Sequence, residues 1–214
     1  QEGAKIILLS DEGLKCNTLP VPMPLVVSSV HHYLVEKKLR SKVSILCIAG
    51  DVVEDHHIAV LIALGASAVY PYMAYELIRE HFRKDDWVEK MSNYRYALEK
   101  GLLKIMSKMG ISTISSYHGS MLLHSIGLGP KISKTYFPTM TSYLGGIELE
   151  HVHDSLLKRH EMAFEKEKMA LVEKGLYRYR KQGERHGFNP ANFKKIQSGS
   201  AGKLASKPSA EIDL

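Results

Sequence analysis

The 214-residue sequence contains only two cysteines, Cys16 and Cys47. Two thiols by themselves cannot build a disulfide framework, a four-thiolate zinc site or an iron–sulfur cluster. Such sparse cysteine usage is typical of a reducing compartment. We therefore predict a cytoplasmic protein that binds no structural metal or cluster through cysteine alone.

Long hydrophobic runs are also missing. A membrane-spanning helix needs roughly 20 consecutive apolar residues, and the longest candidate stretch, Ile58 to Tyr75, is interrupted by Gly65 and Pro71. Residues 1–10 lack the cationic start, the apolar segment and the small-residue cleavage site of a secretory signal. Neither a membrane span nor a signal peptide is predicted.

No block of one charge sign stands out, although the net charge is +6 and the pI is about 9.1. Basic residues from Lys5 to Lys207 are spread among acidic ones, without the stripe of cations and interleaved aromatic residues that nucleic-acid binding uses. Specific nucleic-acid binding is therefore not expected. Salt-sensitive, nonspecific binding of polyanions by the lysine-containing tail is a lesser alternative.

Recognisable catalytic and nucleotide-binding motifs are absent as well. The chain has no Gly-x-Ser-x-Gly elbow, and its glycine-rich spots at 127–129 and 145–146 match neither the Walker pattern nor the dinucleotide fingerprint. Adjacent histidines on a helix point about 100° apart, so they cannot chelate one ion together. We expect the four histidine pairs to be structural, with a mechanistic role of the second pair as the lesser alternative. The pairs are His31 and His32, His56 and His57, His118 and His124, and His151 and His153.

What the sequence does contain is an alternation of short apolar runs with helical patterns, which indicates a parallel sheet covered by crossover helices. The predicted fold class is α/β, with mainly parallel strands in an incomplete, barrel-like arrangement. The first predicted elements are a strand at Lys5–Ser10, a helix with Leu25, Val26, Val30, Tyr33 and Leu34 on its apolar face, a strand at Val43–Ile48, a helix capped by Asp55 and running to Gly65, a strand at Ala68–Tyr70, and a helix opened by Pro71.

A long amphipathic helix is predicted next. Apolar residues recur at steps of three and four over residues 87–109, and Gly110 supplies the left-handed stop. The β-branched residues of the segment 111–115 then predict a buried strand. A further helix is expected at 119–126.

The last third of the sequence changes character. A charged amphipathic helix is predicted from residue 149 to about residue 173, and alternating large and polar residues around Gln182-Gly183 predict a late β-hairpin at 176–187. A short helix follows at 189–197. Residues 198–214, which have few large apolar side chains, are expected to form a disordered tail.

Several segments taken together resemble, in order, the large subunit of glutamate synthases. They are Ile7–Asp11 (ILLSD), Val30–Leu34 (VHHYL), Leu39–Val43 (LRSKV), Glu54–Ile58 (EDHHI), Gly65–Val69 (GASAV), Glu99–Thr113 (EKGLLKIMSKMGIST), Ser116-Tyr117 and Gly145–Ile147 (GGI). The resemblance covers about Lys5 to Gln197. The chain departs from the family at Tyr143-Leu144, where an Arg usually precedes the paired glycines, and in the stretches 47–53 and 120–125.

The resemblance implies an oxidoreductase of ammonia assimilation that converts glutamine, 2-oxoglutarate and reductant into two glutamates. Residues 4–86 would be the end of its central domain, and residues 87–197 the junction and the start of its FMN-binding synthase domain. FMN and a 3Fe-4S cluster are implied for the complete enzyme, with none bound by this chain alone. The implied partners are the amidotransferase domain and the FMN barrel, with a small reductase subunit as an optional further one.

On this interpretation the chain carries no catalytic, cofactor-binding or metal-binding residue and is inactive alone. It would act as a connector between the amidotransferase and flavin sites. The candidate domain-junction residues are Ser107, Lys108, Met109, Ser112 and Tyr117. The alternative is a standalone, non-catalytic α/β binding or scaffold module.

Overall fold

The computed structural model describes residues 3–82, 86–165 and 175–199. The chain divides into two compact units, Gln1–Glu165 and Lys166–Leu214. The elements of the first unit follow one another in this order: β1 (Ile6–Ser10), α1 (Met23–Glu36), a 3-10 turn (Arg40–Lys42), β2 (Ser44–Ile48), α2 (Asp55–Ala63), β3 (Ala68–Tyr70), α3 (Tyr72–His81), α4 (Trp87–Lys108), α5 (Ile114–Tyr117), β4 (His124–Leu128), α6 (Pro130–Tyr136), β5 (Thr141–Ile147) and α7 (Leu149–Glu165).

Three parallel strands form the first sheet, in the order β1-β2-β3. The strands are joined through α1 and α2, as crossover connections between parallel strands require. The central strand β2 buries Ile45 and Cys47 completely, which anchors the sheet in the core. The predicted strand–helix–strand alternation is confirmed, and the bounds of the three strands agree with the prediction to within one residue.

Helices α1 and α2 supply much of the apolar core. Val27 of α1 and Leu61 of α2 are 0% and 2% exposed, and burial of such a side chain stabilises the fold by about 1.5–3 kcal/mol. The predicted apolar face of α1 is wrong at Tyr33, which is 58% exposed. The buried face contains Val27 and Leu34, two helical turns apart, and Tyr33 points about 100° away from Leu34.

The start of α2 packs against α4. Glu54, and not Asp55 as predicted, is the N-cap residue, while Asp55 is the first helical residue. An acidic side chain at this position is stabilised by the positive end of the helix dipole. Gly101 of α4 faces Asp55 at a distance that leaves no room for a side chain.

The long helix is confirmed as α4, Trp87–Lys108. Its core contact is Met106, which is 1% exposed. Gly110 has a φ of +73°, and the amides of Gly110 and Ile111 donate to the carbonyls of Ser107 and Met106 at 3.1 and 2.9 Å. This is the hydrogen-bond pattern of a Schellman motif, which explains why the helix ends here.

The predictions for residues 111–126 are wrong. The segment 111–115 forms no strand, and residues 119–126 form no helix; α5 and β4 occur instead. The reason is tertiary: the amide of Gly119 donates to the carbonyl of Ile62 at 2.9 Å, and that of Met121 donates to Ala63 at 3.1 Å. Both residues also have positive φ, which breaks any helix.

A second, two-stranded parallel sheet is formed by β4 and β5, with α6 as the connection. The register shifts at Ile126, where the ladder carries an irregularity. Every residue of β5 is exposed. Two small parallel sheets and their helices confirm the predicted α/β class, and the strands of the described ranges form no closed barrel.

Helix α7 begins at Leu149 as predicted, and its predicted continuation over 166–173 lies outside the described residues. Within the ranges that the structure describes, no helix combines the length and the hydropathy that crossing a membrane requires.

In the second unit, the described residues 175–199 contain the predicted short helix as α8 (Pro190–Ser198), and the side chain of its N-cap residue Asn189 accepts from the amide of Asn192. The predicted β-hairpin at 176–187 is wrong, because these residues form turns and bends. The loop is closed by the imidazole of His186, which lies 2.6 Å from the carbonyl oxygen of Gly175, instead of by a strand ladder. The predicted disordered tail 198–214 is wrong at Ser198, which ends α8, and from residue 200 onward it lies outside the described residues.

Candidate functional site

Four of the five candidate junction residues lie together at the exposed end of α4. Ser107 and Lys108 are in its last turn, Met109 is its C-cap residue and Ser112 follows the Schellman motif. All four are exposed, Met109 by 43%. This end of α4 is therefore available to a neighbouring domain.

Tyr117 differs from the other four candidates because it is a core residue. It is 1% exposed and belongs to the main apolar cluster of the first unit. Burial raises the pKa of its phenol above the usual value. The side chain therefore positions α5 against the core and is not itself presented to a partner.

The second sheet carries exposed apolar side chains on both of its faces, here together called the β4–β5 surface and defined by Ile126, Tyr143, Leu144 and Ile147. These side chains are 74%, 69%, 61% and 45% exposed. Parallel sheets are normally covered on both faces, and a two-stranded sheet is only marginally stable alone. The β4–β5 surface thus has the composition of a buried strand pair. Within the described residues, no helix or strand covers it.

The carboxyl edge of the first sheet holds two carboxylates beside an apolar cavity of about 320 Å³. The side chain of Asp11, directly after β1, accepts hydrogen bonds from the amide of Gly50 at 3.0 and 3.2 Å. Burial raises the pKa of Asp11, and the nearby charge of Asp51 adds to this effect. The phenol of Tyr72 is hydrogen-bonded to Asp11, and its pKa is raised by burial and by that carboxylate.

Two of the histidine pairs contribute to a cluster around Arg40, at the opposite edge of the same sheet. Arg40 Nε donates to His31 Nδ1 at 3.1 Å, and Nη2 donates to His118 Nε2 at 2.9 Å and to the carbonyl of Gly65 at 2.7 Å. Nη1 donates to the carbonyl of Val43. Because the guanidinium only donates, Nδ1 of His31 is the acceptor. Nε2 of His118 lies within hydrogen-bond distance of both Nη2 and the carbonyl oxygen of Gly65, the latter at 3.0 Å.

The electrostatics of the Arg40 cluster agree with this assignment. Burial, and next the charge of Arg40, lower the pKa of His31 to about 4. Burial also lowers the pKa of Arg40. His31 therefore accepts a hydrogen bond inside the fold, and the expectation that the histidine pairs are structural stays a prediction.

Two further histidines, His56 and His151, have local contacts. His56 Nδ1 lies 2.8 Å from Asp55, and together with Glu54 these groups are close enough to share a cation, but they are acidic groups on an exposed helix start. His151 Nδ1 accepts from the amide of Glu148 at 3.2 Å, which caps the start of α7. The expectation that no histidine pair holds a metal stays a prediction.

Comparison with known proteins identifies the family. The sequence model described as "Glutamate synthase central domain" matches residues 1–129. The chain belongs to the glutamate synthase family. It is 36% identical over 201 residues to the "Glutamate synthase [NADPH] large chain" of Bacillus subtilis (strain 168), a match that covers 92% of this chain and 13% of that protein.

Other relatives show the same relationship. The "Glutamate synthase [NADPH] large chain" of Azospirillum brasilense is 39% identical over 191 residues, covering 87% of this chain and 13% of the relative. The "Ferredoxin-dependent glutamate synthase" of Antithamnion sp. is 38% identical over 212 residues, covering 91% and 14%. This glutamate synthase chain therefore spans about one seventh of the length of the curated relatives that it matches.

The cofactors that the family implies do not fit the residues of this chain. An iron–sulfur cluster is held by several cysteine thiolates, whereas Cys47 is 1% exposed and burial raises the pKa of its thiol to about 12. Nucleotide phosphates bind beyond the carboxyl ends of parallel strands; at this edge Asp11 and Asp51 would repel a phosphate, and Arg159 is the one full cation among the described residues that line the cavity. No catalytic step of glutamate synthases is therefore assigned to these residues.

Sequence patterns do not predict the role of Arg40 or the β4–β5 surface. Arg40 lies in one of the segments that resemble glutamate synthases, yet its partners Gly65 and His118 come from distant parts of the chain. For the β4–β5 surface, the apolar residues around Leu144 are a signal that could have found it, because they indicate a buried strand that the structure leaves uncovered.

Proposed function

We propose that this chain is a connector within a glutamate synthase, joining the domain that releases ammonia from glutamine to the flavin barrel that forms glutamate. The β4–β5 surface is the observation that carries the proposal. Parallel strands with exposed apolar side chains need further strands or helices beside them. We assign the downstream flavin domain as the partner that covers this surface.

The exposed end of α4 supports the same interpretation. Ser107, Lys108, Met109 and Ser112 lie on a rigid helix end outside the apolar core, where they can contact a second domain without disturbing the fold. Tyr117 then acts indirectly, by fixing the segment between α4 and β4. FMN and the 3Fe-4S cluster are assigned to other parts of the complete cytoplasmic enzyme, and a small reductase subunit is assigned as an optional partner.

A substitution in the complete protein tests the connector role. Leu144→Asp places a charge on the β4–β5 surface, and we expect glutamine hydrolysis to persist while glutamate formation falls at least tenfold, because the two half-reactions become uncoupled. Leu77→Asp is the matched control, since Leu77 is 56% exposed on α3. Glutamate formation by Leu144→Asp within twofold of the unaltered protein would contradict the proposal.

The chain alone provides a second test. Purified without the remaining domains, it should contain no stoichiometric flavin and form no glutamate from glutamine, 2-oxoglutarate and reductant. A yellow preparation with one FMN per chain would overturn the assignment of the cofactor to other domains.

A standalone α/β binding or scaffold module is the second candidate. The compact core around β2, α1 and α2 favours it, because such a core can support independent folding. The source gene distinguishes the two candidates. Start and stop codons directly flanking this stretch, with no adjoining barrel sequence, would favour the scaffold module, and a continuous reading frame into a barrel would exclude it.

A further inference from the structure

A basic cavity of about 730 Å³ opens at the amino edge of the first sheet, opposite the edge that carries Asp11. Its cations are Lys5, Arg40 and Lys42, and His31 and His118 form part of its wall. No carboxylate is among its described lining residues. The described wall of the cavity therefore carries three permanent positive charges and no negative charge.

Arg40 is the central cation of this cavity and has no acidic partner in the part of the chain that the structure describes. None of its contacts is acidic: they are the carbonyl oxygens of Val43 and Gly65 and the imidazoles of His31 and His118. A half-buried charge is costly unless a counter-charge compensates it. These bonds also leave one hydrogen of Nη1 without an assigned acceptor.

Hydroxyl groups surround the cations. Ser41, Ser44 and Ser67 line the same cavity. Ser67 Oγ accepts from the amide of Ile45 at 3.2 Å, which leaves its hydroxyl hydrogen free to donate. The amide of Ser44 donates to the carbonyl of Lys5 at 2.9 Å, so the strand ends hold both residues in place.

We propose that this cavity binds a small oxyanion of the phosphate class, either inorganic phosphate or the phosphate group of a larger ligand. Lys5 and Lys42 provide compact charges, Arg40 provides a fixed planar donor, and Ser67 provides a neutral hydrogen-bond donor. This combination matches the oxygens of a phosphate, which accept several charge-assisted hydrogen bonds at once. Such a ligand would also supply the missing counter-charge of Arg40.

Isothermal titration calorimetry of the full protein with inorganic phosphate tests the site, with chloride at equal ionic strength as the reference titration. We expect saturable binding of phosphate only. The double variant Lys5→Gln/Lys42→Gln should weaken the affinity at least tenfold, because it removes two of the three charges. Lys104→Gln, an exposed lysine of α4 outside the cavity, is the matched control and should change the affinity less than twofold.

Phenyl phosphate distinguishes the two sources of the group. Binding tighter than that of inorganic phosphate indicates a phosphorylated organic ligand, while binding weaker or absent indicates the free ion; both support the site. The absence of phosphate binding, or equal affinity of the double variant, would overturn the proposal. The proposal would also be overturned if the double variant bound phosphate unchanged but lost its contact with a neighbouring domain. In that case the cavity would hold a carboxylate of the protein.

Discussion

Gly101 of α4 and Asp55 of α2 occupy adjoining space: a Cβ atom at position 101 would overlap the Oδ2, Cβ and Cγ atoms of Asp55. Glycine inside a helix costs about 0.5–1 kcal/mol relative to alanine. The close approach of the two helices explains why a glycine nevertheless stands in the middle of a 22-residue helix.

Gly101→Ala should therefore destabilise the protein, although the same change in a free helix would stabilise it. We expect a loss of about 1–3 kcal/mol in the free energy of unfolding, as for other overpacked sites, measured by urea denaturation. Lys104→Ala, at an exposed position of α4, should change the stability by less than about 0.5 kcal/mol.

The double variant Asp55→Gly/Gly101→Ala isolates the contact. Asp55→Gly removes all three atoms that a methyl group at 101 would meet, so the penalty of Gly101→Ala should disappear in that background. An equal penalty in both backgrounds would show that the contact with Asp55 does not explain the glycine.

Gly65 should tolerate substitution least among the positive-φ glycines of the first unit. Its φ is +119°, and a Cβ atom there would overlap the ring of His31. Gly65→Ala should cost more than about 2 kcal/mol, since backbone strain and overlap add. Gly13→Ala is the matched control, because Gly13 has a φ of +79° but open space around it. In thermal denaturation, this variant should be destabilised by backbone strain alone.

Acid should weaken the fold through His31. Its pKa is about 4 in the folded protein against 6.5 for an ordinary histidine, with burial as the main cause and Arg40 as the next. The unfolded chain binds more protons between these values, so stability is lost as the pH falls from about 6.5 to 4. We expect a loss of about 1–2 kcal/mol, after allowance for the partial exposure of the ring.

Urea denaturation at several pH values checks this dependence against His31→Asn. The variant should show a flatter pH profile over the same window, because asparagine does not titrate. A profile of His31→Asn as steep as that of the unaltered protein would assign the acid sensitivity to other groups.

The two thiols should react at very different rates. Cys16 is exposed, whereas Cys47 is buried in β2 with its thiol pKa raised to about 12 by burial. A disulfide reagent at pH 8 should label one thiol per chain rapidly and the second only as the protein opens, because the thiolate is the reacting form. Cys16→Ser should abolish the fast phase, and a fast phase that persists would place Cys47 at the surface.

The first sheet and α4 could be predicted because their signals are local. Short apolar runs define β1, β2 and β3, and the stripe of apolar residues with Gly110 at its end defines α4. The structure of residues 111–126 could not be predicted, because it depends on hydrogen bonds from Gly119 and Met121 to α2, more than fifty residues earlier in the chain.

The candidate site was predictable to a similar extent. The end of α4 is a surface feature of a helix that the sequence already predicts. Tyr117 was expected at the junction, but its depth in the core depends on how α5 packs. The Arg40 cluster joins Arg40 to His118, which lies 78 positions later in the chain, so the spacing of residues along the sequence does not predict it.

The hydrogen bonds from Gly119 and Met121 to the last turn of α2 have a dynamic consequence. The carbonyls of Ile62 and Ala63 hold the chain just before β4, so the amide protons of Gly119 and Met121 can exchange with solvent only when this helix end opens. The first sheet and the entry to the second are thereby linked in one cooperative opening event. If a neighbouring domain strains β4, the first measurable change should be faster deuterium uptake at the end of α2.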